Sequence, residues 1–98
     1  MAKGEKMKEI IKSIIIEQIS SGMIFDTHTI IEYLLQEHSD IYLENYEGKT
    51  STELYHSYIS QVISAIAKEE KIIERIIGES WSLNIHKKFS ECACWKKQ

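Results

Sequence analysis

The sequence predicts an α+β fold in which a three-helix core is followed by a small antiparallel β-hairpin. Three observations carry this. Isoleucine, leucine and tyrosine recur at helical spacing in three separate stretches before residue 70. Thr50-Ser51-Thr52-Glu53 has the form of a capping box and opens the last of those stretches. Beyond it the period shortens, and Trp81-Ser82-Leu83-Asn84-Ile85 alternates strictly between apolar and polar side chains.

The first helix is expected over residues 5–20, with Met7, Ile10, Ile11, Ile14, Ile15 and Ile19 on one side and Lys6, Glu9, Lys12, Ser13 and Glu17 on the other. Gly22 suits the left-handed residue that follows a helix. Ile16 lies almost opposite the apolar stripe and reads either as an isolated exposed side chain or as a subunit contact. Met23-Ile24-Phe25 fits a short strand, 23–25. A second helix is expected over 27–38, opened by Asp26 or Thr27 and burying Ile30, Ile31, Leu34 and Leu35, while Tyr33 points away. A short helical turn follows at 40–46, and Glu47-Gly48-Lys49 is a loop. The third helix spans 52–68, with Tyr55, Tyr58, Ile59, Val62, Ile63 and Ile66 facing the core and Glu69-Glu70-Lys71 as a turn. Runs 72–77 and 81–86 form the hairpin, joined through Gly78-Glu79-Ser80 with Trp81, Leu83 and Ile85 inward, and 87–98 is a tail.

Ninety-eight residues allow one domain, residues 1–98, and 43% hydrophobic with 28% charged residues is a globular composition. The longest apolar run, Ile14-Ile15-Ile16, is far too short to span a membrane, and Met1 to Lys6 lack the apolar stretch of a secretory signal. Cys92 and Cys94 are no disulfide framework, so a reduced, cytoplasmic setting is expected. The formal charge is −3, unevenly spread. Asp26, Glu32, Glu37, Asp40, Glu44 and Glu47 face only Lys49 in the middle; Lys87, Lys88, Lys96 and Lys97 face only Glu91 at the end.

The order helix, short strand, helix, helix, strand, strand, from Lys6 to about Phe89, resembles the winged helix-turn-helix family. The resemblance implies a third helix seated in the DNA major groove and a hairpin wing on the flanking backbone. It also admits a second use, since winged helices serve as protein-interaction and assembly modules. About a dozen residues separate the second and third helices where a tight helix-turn-helix has three or four; the helical turn at 40–46 absorbs them.

The outward side of the third helix is the strongest candidate surface. His56, Ser57, Ser60, Gln61 and Ser64 lie along it, small or neutral groups able to donate to and accept from base edges. Lys68, Lys71, Arg75, Lys87 and Lys88 are the candidate phosphate contacts. Arg75 is the only arginine, and Glu79 at the expected hairpin tip disfavours insertion of that tip into a groove. The alternative reading of the same face is a solvated or helix-packing surface. Ile16 and Tyr33 are the candidate protein contacts.

Cys92-Ala93-Cys94 with His86 invites a zinc reading, but one residue between the cysteines and no fourth ligand favour reduced thiols packed under Trp95 and Phe89. No metal and no cofactor is expected. His38 reads as a helix-end residue, and Asp26-Thr27-His28 as a helix start. No nucleophile motif or phosphate-cradling loop occurs, so an enzyme is not expected. The sequence leads to a small cytoplasmic DNA-binding protein, a homodimeric transcriptional regulator contacting duplex DNA. The alternative is an interaction module without DNA binding.

Overall fold

A computed structural model of the chain describes residues 3–46, 51–83 and 88–98. It is an α+β fold, with four helices packed against a small antiparallel sheet. Helix α1 (Lys3–Gln18) buries Met7, Ile11, Ile14 and Ile15, and Ile19 completes the stripe just past its end. Gly22 then takes φ +88, the conformation that lets the chain reverse into strand β1 (Ile24–Asp26).

Asp26 caps helix α2 (Thr27–Glu37), its side chain accepting from the Thr29 N–H at 2.9 Å. Ile30, Ile31 and Leu34 are fully buried on its inner face, and Tyr33 is half-buried against the same core rather than pointing away. The His38 N–H closes the helix on the Leu34 carbonyl at 2.8 Å. The stretch expected as a helical turn is a full helix, α3 (Ser39–Tyr46), with Ile41 and Tyr42 buried. Hence the core holds four helices instead of three.

Ser51 caps helix α4 (Thr52–Glu70) by accepting from the Leu54 N–H at 3.2 Å. Tyr55, Ile59, Ile63 and Ile66 of this helix are fully buried. Glu69 and Glu70 belong to its last turn and form ion pairs with Lys8 and Lys12 of α1. The expected turn begins only at Lys71, which adopts the left-handed conformation with φ 55.

The hairpin departs from expectation. Strand β2 runs unbroken from Ile73 to Leu83, and strand β3 is Phe89–Lys97, the stretch expected as a tail. The sheet order is β1-β3-β2, so β3 is the central strand. Arg75 opposes Trp95 and Glu79 opposes Ala93, so four steps along β2 match two along β3. Gly78, with φ +97, sits in that bulge. A glycine between two apolar runs serves a bulge as readily as a turn, and here it kinks the strand instead of reversing it. The alternation expected at Trp81 is real but of opposite sense: Trp81 is 65% exposed and Ser82 faces α2. Ile85 lies outside the described residues.

Trp95 explains why the last strand is central. It is fully buried, stacked 6.0 Å from Phe25. Among the described residues, nothing accepts from its indole N–H. An orphaned donor costs about 1–3 kcal/mol. Burying roughly 150–250 Å² of aromatic surface returns about 4–6 kcal/mol, so burial wins.

Candidate functional site

Helix α4 presents one side to the interior and the opposite side to solvent. Ser57, Gln61 and Lys68 are exposed at helical spacing, with Ser64 half-buried among them. Ser60, Gln61, Ser64, Ala65, Lys68 and Glu69 line a shallow, open depression on this side. The ion pairs from α1 engage Glu69 and Glu70, offsetting the acidic charge beside Lys68 and Lys71. Lys71 itself is exposed at the helix end.

Three of the expected contacts are committed elsewhere. The Ser60 hydroxyl lies 2.7 Å from the hydroxyl of Thr27, a buried residue of α2. The spacing that places Ser60 near Ser57 and Ser64 also places it at the margin of the α2 contact. The His56 Nε2 lies 2.9 Å from the Tyr42 hydroxyl, so the ring faces α3. The Arg75 Nη1 donates to the carbonyls of Ile76, Gly78 at 2.9 Å and Cys94 at 3.3 Å, and the guanidinium sits 5.7 Å over the Trp95 ring. A bulge frees carbonyls from the ladder, and this guanidinium serves them. Lys88 is exposed just before β3, whereas Lys87 lies outside the described residues.

The hairpin carries a feature that the expected register concealed. Trp81 and Phe89 stack in parallel, 6.2 Å apart, and are 65% and 58% exposed. Ile16, Met23 and Ile24 are also exposed, where the end of α1 meets the edge strand β1.

A polar cluster lies where the start of α2 meets β2 and β3. The His28 Nδ1 lies 2.6 Å from the Ser82 hydroxyl and its Nε2 3.4 Å from that of Ser90. The Cys92 sulfur is 3.9 Å from the Ser82 hydroxyl. Burial pushes the Cys92 thiol up, against the opposing pull of the His28 and Thr27 backbone N–H groups. Asp26-Thr27-His28 was readable as a helix start, but its meeting with Ser82, Ser90 and Cys92 depends on β3, which the sequence disguised as a tail. His86 lies outside the described residues, and Cys94 is buried in the strand beside Asp26.

No helix among the described residues is long and apolar enough to cross a membrane. Compared with known proteins, the chain matches no family model, no curated protein and no solved structure.

Proposed function

We propose that the chain is a winged-helix DNA-binding protein, with α4 as the groove-reading helix and the β2–β3 hairpin as the wing. The order of elements and the β1-β3-β2 sheet support this reading. The observation that carries it is the outward strip Ser57, Gln61, Ser64 and Lys68 on a helix whose other side is fully packed. Ser57, Gln61 and Ser64 contact base edges; Lys68, Lys71 and Lys88 contact phosphates. A transcriptional regulator is the role this geometry fits.

The test is fluorescence anisotropy of the full chain on mixed-sequence duplex DNA. Affinity is expected to fall steeply between about 50 and 200 mM salt, because phosphate contacts release counterions. The double substitution Gln61→Ala with Lys68→Ala is expected to weaken it further. Binding that ignores both salt and the double substitution rules the reading out.

The exposed Ile16, Met23 and Ile24 favour a second reading, an assembly module joined through the β1 edge. Sedimentation of the full chain separates the two. A concentration-dependent mass abolished by Ile24→Lys, without duplex binding, selects assembly.

A further inference from the structure

We propose that Asp26, His28 and Cys92 form a binding site for a borderline divalent cation of the zinc type. The three residues come from the start of α2 and from β3, and one potential ligand atom of each lies within 4.8 Å of the others. With metal–ligand bonds of about 2.0–2.3 Å, a tetrahedral site spaces its ligand atoms by about 3.5 Å. A contraction of about 1 Å therefore closes the site. Thiolate, imidazole and carboxylate together select zinc or cobalt over magnesium or calcium, which take oxygen ligands alone.

The surroundings supply the outer hydrogen bonds that such a site needs. Asp26 Oδ1 accepts from both the N–H and the hydroxyl of Thr29, each at 2.9 Å, which fixes the carboxylate. His28 holds its closer serine contact, 2.6 Å, at Nδ1. The Nε2 contact with Ser90 is long at 3.4 Å, and this nitrogen is the one that turns to the cation. Nδ1 then keeps Ser82 as its orienting partner, the usual arrangement for a ligating imidazole. Binding converts the thiol to a metal thiolate and releases one proton to solvent. Three protein ligands leave a fourth position for water. Cys94 is not part of the cluster, although it is only two residues away.

The site stands independently of nucleic acid, and so does its test: Co²⁺ titration of the reduced full chain, followed by absorption. One equivalent is expected to produce a near-ultraviolet thiolate-to-cobalt band, bleached by one equivalent of Zn²⁺. Cys92→Ser is expected to abolish the band and Cys94→Ala to keep it. A wild-type chain without the band overturns the proposal, as does a band that survives Cys92→Ser or follows Cys94 instead. Circular dichroism checks that each variant is folded. Should Cys92→Ser not fold, Asp26→Asn decides, because asparagine preserves the helix cap while removing the anionic ligand. Cobalt affinity is expected to drop at least about tenfold in that variant, and unchanged affinity refutes the site.

Discussion

The hydroxyls of Ser60 and Thr27 lie 2.7 Å apart across the contact between α2 and α4. One member of the serine series on α4 therefore stabilises the fold, while its neighbour Gln61 is exposed. Ser60→Ala is expected to cost about 1 kcal/mol in urea unfolding, the usual worth of a part-buried hydrogen bond, and to leave duplex affinity unchanged. Gln61→Ala is expected to do the reverse, with stability within about 0.5 kcal/mol of wild type and duplex affinity lowered by about 1–3 kcal/mol. Equal effects of both substitutions on binding would contradict this division of roles.

Arg75 behaves differently from the lysines around it. Its Nη1 serves the carbonyls of Ile76, Gly78 and Cys94, and the guanidinium lies over Trp95. A lysine ammonium cannot combine a flat stacking face with a donor fork, so Arg75→Lys keeps the charge and loses the fit. The substitution is expected to lower stability by about 1–2 kcal/mol and to leave the salt slope of duplex binding unaltered. Lys68→Ala is expected to leave stability unchanged and to reduce that slope by about 1. Unfolding curves and salt titrations of the two variants give the comparison.

Helices α1, α2 and α4 are legible because each carries both an apolar stripe and a start or stop signal, whereas the eight residues of α3 read only as a helical turn. Asp26 caps α2 as its residue type predicts, whereas α4 is capped by Ser51, one residue later than a box from Thr50 to Glu53 implies, and Gly22 is left-handed but four residues past the end of α1. The helix boundaries were less exact: α1 ends at Gln18 and α4 continues to Glu70. The hairpin departs from its local pattern for a physical reason. Gly78 interrupts an apolar run as a turn glycine would, and a local pattern cannot tell reversal from a bulge. Placing the turn there reversed the faces of Trp81 and Ser82 and left Phe89–Lys97 without a partner strand. Since Cys92 reaches His28 only through β3, the polar cluster was out of reach of any local reading.

The same strand provides a sharp test in Lys97. Its Nζ donates to the carbonyls of Ile15 at 3.0 Å and Ile19 at 2.7 Å, with Ile16 at 3.4 Å, capping the end of α1. A cation there satisfies orphan carbonyls and opposes the helix dipole. Lys97→Met retains the apolar stem and removes the donors, so it isolates the cap. It is expected to cost about 1 kcal/mol, whereas Lys96→Met, at an exposed position, is expected to stay within about 0.5 kcal/mol of wild type. Equal urea midpoints for the two variants would return residues 96 and 97 to the status of a solubilising tail.

Alkaline pH tests the packing beneath the candidate surface through Tyr55. The ring is fully buried, 4.9 Å from that of Tyr42, and its hydroxyl donates to the Tyr42 carbonyl. Burial first, then the neighbouring Tyr42 and Tyr58, pushes its ionisation far above the ordinary value of 10.0. The folded state therefore holds the neutral phenol while the unfolded chain ionises in the usual range. This contribution is complete below about pH 10 and is lost as pH rises beyond it, at up to about 1.4 kcal/mol per pH unit. Tyr55→Phe is expected to be less stable at neutral pH by about 1 kcal/mol, through loss of the bond to Tyr42, yet to lack this part of the alkaline decline. The difference between the two stability curves cancels the titrating groups that do not interact with Tyr55. It is expected to shrink and then change sign as pH rises past 10, whereas parallel curves from neutral to strongly alkaline pH would place the Tyr55 hydroxyl in contact with water.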